Sequence, residues 1–187
     1  MKTLILSVIV CCLLPEILSA QNNSVFLTES GRVDFVSNAP LEQIKAGSSQ
    51  VKGAIDTAQN TVLFVIENHT IEGFNSSLQQ EHFHENYMET NKYQRTSFSG
   101  KIIEPLQWKT GEKQLVRAKG ILDIHGIRQE RIIKATLTYG STNLTIASDF
   151  KVLLDDHKIR IPKVVSKKIA TEIAVTLQAE LKAYDKD

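Results

Sequence analysis

Residues 118–139, Ala-Lys-Gly-Ile-Leu-Asp-Ile-His-Gly-Ile-Arg-Gln-Glu-Arg-Ile-Ile-Lys-Ala-Thr-Leu-Thr-Tyr, decide the fold. Ala118, Gly120, Leu122 and Ile124 continue a period-two pattern begun at Val116, and Ile133, Ala135, Leu137 and Tyr139 repeat it beyond His125-Gly126. Successive side chains of a strand point to opposite faces, so each limb presents one apolar or small-residue face. His125-Gly126 reads as the turn, with Gly126 free to take positive φ, and Arg128, Glu130 and Arg131 keep the first residues of the return limb in water. The stretch predicts a long hairpin with one buried face.

The rest of the chain extends the same pattern. Residues 31–38 read as a first strand with Val33 and Phe35 on one face. Pro40 interrupts Ala39–Ile44, where Leu41 and Ile44 fit a short helical turn. Val51/Gly53/Ile55 and Val62/Phe64/Ile66 form the next two strands around a turn at Ala58-Gln59-Asn60. Over 75–88 the period changes: Leu78, His82 and Phe83 follow Asn75 or Ser76 as N-cap, which predicts one short helix. Then come Phe98/Gly100/Ile102, the hairpin, Leu144/Ile146/Ser148/Phe150/Val152/Leu154, and a last strand running from Ile169 to Leu181. Eight strands, one short helix and no βαβ rhythm predict an all-β, eight-stranded antiparallel barrel.

At the amino end, Lys2 precedes an apolar run Leu4–Leu14 and Ala20 offers a small residue before Gln21, the pattern of a cleaved signal peptide too short to span a bilayer. Residues 1–20 are read as signal peptide and 21–187 as one domain; cleavage shortens the 187-residue chain by 20, to 167. Cys11 and Cys12 leave with the signal, so packing and strand ladders must hold the mature chain without a disulfide. The predicted location is the periplasm or the exterior. With a formal net charge of +1 and charges read as evenly spread, nothing predicts a nucleic-acid or membrane-surface partner.

No nucleophile elbow, phosphate-binding glycine loop or His-Glu-x-x-His is present, so no catalytic residue and no cofactor is assigned. His82-Phe83-His84 is the strongest metal candidate, yet helical residues two apart point about 200° from each other, so no metal site is assigned. The expectation is a capped surface helix with His82 packed on the barrel. His69 and His125 are expected at the surface, and His157 in a turn beside Asp155-Asp156. Sequons at Asn22, Asn68, Asn75 and Asn143 read as polar loop and strand-end residues.

The interior remains. Phe64, Phe98, Leu122, Leu137 and Phe150, with Val152, Ile173 and Val175, are bulky inward residues, while Ala118, Gly120, Ala135 and Ser148 are small ones at mid-strand. Eight strands enclose a space just wide enough to fill with side chains or to hold one small ligand. Periodicity leaves both open: a void made by the small residues, or a solid core in which small and large alternate.

The stretch GILDIHGIRQERIIKATL at 120–137, preceded by Gln80–Tyr93 with its histidines and aromatics and by TSFSGKI at 96–102, resembles the signature of the YceI-like family. The resemblance spans about Gly31 to Leu181 and departs from the family's common pattern at Gln94, where proline often follows the aromatic. It implies a lipocalin-like barrel holding a polyisoprenoid or similar apolar chain in a tunnel lined by the residues named above. It implies no catalytic set. The rival is a solid-core periplasmic module without a ligand.

Overall fold

The computed structural model describes residues 24–107 and 109–184, so the segment read as signal peptide, with Cys11, Cys12 and the Asn22 sequon, lies outside the described residues. Eight antiparallel strands close in sequence order into a barrel. They are β1 (Val25–Asn38), β2 (Gln43–Asp56), β3 (Thr61–Glu67), β4 (Arg95–Ile102), β5 (Lys113–Ile124), β6 (Ile127–Tyr139), β7 (Asn143–Leu153) and β8 (Glu172–Ala183). The deciding hairpin is β5–β6, paired from Lys113↔Thr138 to Ile124↔Ile127. Both His125 (φ 54°) and Gly126 (φ 69°) take left-handed backbone, as a two-residue turn matched to strand twist requires.

Three boundaries differ from the sequence reading, each for a local reason. β1 starts at Val25 rather than Gly31, because the strand runs on through an irregularity at Ser30-Gly31 in the ladder with β2, marked by register shifts. No helical turn follows Pro40: Ala39 N–H donates to Glu42 O at 3.0 Å, and Gln43 and Ile44 already belong to β2. The last strand begins at Glu172 rather than Ile169, because residues 163–171 form a short 3-10 turn at Lys163–Val165 and a bend. Alternation of Ile169 and Thr171 with the true strand is coincidental.

In an eight-stranded meander the connections alternate between the two ends. One end carries the β1–β2 turn, residues 68–94 between β3 and β4, the β5–β6 turn and residues 154–171 between β7 and β8. The segment 68–94 contains α1 (Ser77–His82), capped by Ser76 Oγ accepting from Gln79 N–H at 3.2 Å, and runs on into a π-helical turn, Phe83–Tyr87. The opposite end is packed solid, with Phe26, Ile55, Leu144 and Leu181 at most 2% exposed and the Phe26 and Tyr139 rings edge to face at 5.8 Å.

The wall is uneven. β5 and β6 share twelve paired positions, whereas β6 and β7 pair only over Thr136↔Ala147 to Tyr139↔Leu144. Above that point side chains bridge the seam: Ser148 Oγ donates to Lys134 O at 2.6 Å, and Arg131 Nη2 donates to Lys151 O at 2.9 Å.

Candidate functional site

Within the barrel, toward the end that carries α1, lies a cavity of about 610 Å³. Its wall comes from every strand because each contributes one face of its alternation. Of the residues expected to line the interior, Phe64, Phe98, Ala118 and Leu122 from β3–β5 reach it, as do Ala135 and Leu137 from β6. Ser148, Phe150 and Val152 of β7 and Ile173 and Val175 of β8 complete that set.

Gly120 does not belong to it. It stands opposite Gly100 in the β4–β5 ladder, and a Cβ there would overlap the Ser99 carbonyl oxygen and lie 2.6 Å from Gly100 Cα. The glycine pair permits close strand approach and makes no room for a ligand. Ser148 has a second role that alternation cannot show, because its hydroxyl stitches the seam to Lys134.

The mouth is framed by residues the sequence reading did not place on the lining. Phe35 of β1, Phe74 and Phe83 form a ring cluster, with Phe35–Phe83 centroids 5.9 Å apart and Phe74–Phe83 4.9 Å. Phe83, rather than His82, is the side chain the helical segment packs inward, since His82 is exposed at the rim and Phe83 is half-buried among the rings. Met88, 6% exposed, anchors the end of that segment in a cluster with Leu122, Ile124, Val152 and Ile159. A continuous three-to-four spacing through Phe83 and Met88, allowing for the extra residue of the π-turn, was the available signal.

Three polar side chains at the mouth engage one another. Glu42 Oε1 accepts from Gln79 Nε2 at 2.5 Å and from Asn75 Nδ2 at 3.3 Å. That contact fixes the Gln79 amide with its oxygen turned away from Glu42, and this buried Oε1 has no partner among the described residues. Tyr87 also lines the cavity, and burial raises its hydroxyl above the ordinary tyrosine value, so the phenol stays neutral.

The helical segment is pinned at both ends. Asn68, fully buried, donates Nδ2–H to Tyr93 O at 2.7 Å, which removes this sequon from the surface. His84 Nε2 lies 3.1 Å from Ile71 O. His125 is not a surface residue: its side chain is 12% exposed, lies tilted against the Tyr93 ring with centroids 4.3 Å apart, and contacts Glu89 Oε2 at 2.9 Å and His157 O at 3.2 Å. Among the described residues no group of three or more His, Cys, Asp or Glu side chains converges on a point.

His157 is 1% exposed with Nδ1 3.2 Å from Ile127 O. Desolvation outweighs that hydrogen bond and holds the imidazole below the ordinary histidine value. An unfolded chain therefore takes up a proton at higher pH than the folded one, so stability is full above about pH 6.5 and falls as pH drops toward the folded value. Melting temperature measured from pH 7.5 to 5 should fall less steeply for His157→Gln than for the parent; parallel slopes would sink the assignment.

Comparison with known proteins places this architecture. The barrel resembles a polyisoprenoid binding domain from Saccharophagus degradans implicated in plant cell wall breakdown, at TM-score 0.72 and 16% identity over 86% of this chain and 99% of that one. It also resembles Burkholderia cenocepacia BcnA, at TM-score 0.67 and 12% identity over 81% of this chain and 95% of that one. A Campylobacter jejuni YceI protein aligns at TM-score 0.59 and 13% identity over 75% of this chain and 85% of that one. At these identities the likeness is one of fold. No curated protein sequence matches the chain. The family model described as the YceI-like domain matches residues 25–181, from the first residue of β1 into β8, and the chain therefore belongs to the YceI-like family.

Proposed function

We propose that this protein is a binding or carrier protein that holds the apolar tail of a polyisoprenoid-type lipid in its barrel, exported by its first 20 residues to the periplasm or the exterior. The observation that carries the reading is the cavity of about 610 Å³, open at one end and stopped at the other by solid packing. That volume falls within the range of about 300–1,000 Å³ usual for ligand sites. Each buried CH₂ contributes about 0.8 kcal/mol gross, so a tail needs few polar anchors.

The similarity in fold to the polyisoprenoid binding domain from Saccharophagus degradans supports an isoprenoid over a straight acyl chain. We read binding rather than catalysis because no His, Cys, Asp or Glu cluster converges on the wall among the described residues and three of its hydroxyls are committed to structure. Ser148 donates to Lys134 O, Ser37 Oγ accepts from Ala170 N–H at 2.8 Å, and Ser76 caps α1. Gln79 Oε1, an acceptor awaiting a donor at the mouth, favours a ligand whose head carries a hydroxyl.

The test is mass spectrometry of an organic extract of the purified mature protein, followed by titration of the delipidated protein with geranylgeraniol and its methyl ether. An extracted isoprenoid lipid and tighter binding of the alcohol, by about two- to tenfold, are expected. A clean extract with no binding of either probe would overturn the reading.

A further inference from the structure

We propose that the rim formed by residues 158–168 and the β1–β2 turn is a docking surface for an anionic lipid bilayer, set beside the cavity mouth. Lys158, Arg160, Lys163, Lys167 and Lys168 place five cations and no acid in eleven residues, a local block that the even overall charge conceals. All five are exposed, and none makes a side-chain hydrogen bond or ion pair among the described residues. Unpaired lysines held on a fixed turn are the chemistry that anionic phospholipid attracts.

Apolar groups stand among these charges. Val164 is 89% exposed, the highest value among the exposed large hydrophobics, and Leu41 is 68% exposed. Single exposed apolar residues are ordinary, but here the backbone brings two together, since Leu41 N–H donates to Lys167 O at 3.0 Å. The turn also separates its two valines: Val165 lines the cavity, while Val164, one residue earlier, faces out. A bilayer is the partner that suits an apolar tip ringed by cations, because the tip enters the acyl boundary while the lysines meet the headgroups.

The acids near the mouth set the tilt. Asp156 beside the basic run is neutralised by Arg131 at 3.2 Å, whereas Glu42, which accepts from the neutral Gln79 and Asn75 amides, and exposed Glu81 and Glu85 on the helical segment keep their charge and hold that side off an anionic surface. The protein would rest tilted, its 158–168 edge on the lipid and its mouth at the headgroup level. That pose lets a tail pass between membrane and cavity with little exposure to water; the transfer role rests on the carrier reading above, whereas the docking itself does not.

Docking is measured by co-sedimentation of the delipidated mature protein with vesicles of phosphatidylcholine alone and of phosphatidylcholine with about one third phosphatidylglycerol. Binding to the anionic vesicles only, weakening as salt rises, is expected. A Lys163→Gln/Lys167→Gln variant should bind about twenty-five-fold more weakly, at roughly fivefold per charge, and Val164→Asp should also lose binding. Both variants should keep the parent's melting temperature and its affinity for geranylgeraniol in vesicle-free solution, which separates failure of this surface from failure of the cavity.

Equal binding to both vesicle types, no binding to either, or anionic binding unchanged by the substitutions would overturn the proposal. So would a dimer that Val164→Asp dissociates in the absence of vesicle binding, because the rim would then serve a second copy of the chain.

Discussion

Replacing Ala135 by phenylalanine is expected to weaken geranylgeraniol binding by tenfold or more while leaving the melting temperature of the delipidated protein at or above that of the parent. Ala135 is on the cavity wall, opposite Val116 in the β5–β6 ladder, and 7% exposed. A ring projecting from that position fills space a tail would use. Displacing two methylenes removes about 1.6 kcal/mol of gross burial, and 1.4 kcal/mol is tenfold in affinity. Filling a void restores contacts to its lining, so stability is held or gained. In a solid core the same change would overpack and cost about 1–3 kcal/mol. Ala179→Phe provides the contrast: Ala179 is equally small and 8% exposed, but it is not on the cavity wall and lies 3.1 Å from where a Cβ on Gly31 would stand, so the variant should be destabilised. A stabilised Ala179→Phe, or a strongly destabilised Ala135→Phe that still binds, would reverse the placement of cavity and core.

The second large effect is expected at Gly120. Gly120→Ala should cost about 3 kcal/mol, read as a loss of denaturation midpoint at unchanged slope. The atoms a Cβ would meet are the Ser99 carbonyl and Gly100 Cα, all backbone, so no side chain can rotate to relieve the overlap. Relief requires β4 and β5 to separate where they are paired Gly100↔Gly120. Were Gly120 a residue that makes room in the cavity, alanine there would be tolerated. A change below about 0.5 kcal/mol would therefore return Gly120 to the cavity wall.

These two positions show what sequence could and could not reveal. Alternation identified the inward face at both Ala135 and Gly120, because the period of two follows from strand geometry alone. It could not tell a small residue facing a void from one facing another backbone, since that depends on the partner strand and register. The chain order, the hairpin turn and the Ser76 cap were legible because each is a local signal. The mouth was not: Phe35, Phe74 and Phe83 meet there from β1, the loop after β3 and the helical segment, and no periodicity links them. His125 looked like a turn residue at the surface because the groups that bury it, Tyr93 and Glu89, arrive from a different connection. The basic run at 158–168 was visible as letters, but its importance came from the exposure of Val164 and the neighbouring cavity.

The short β6–β7 ladder gives the barrel a mechanical property of its own. A cylinder of uniformly paired strands resists widening because every increment breaks main-chain hydrogen bonds. Here the upper half of one seam is held by a serine hydroxyl, an arginine and the side chains packed between them. Those ties can lengthen or exchange for water without unpairing a strand from its other neighbour. The girth of the chamber is therefore compliant along this seam, and a bent or branched chain can be accommodated by local yielding there while the sealed end keeps its shape.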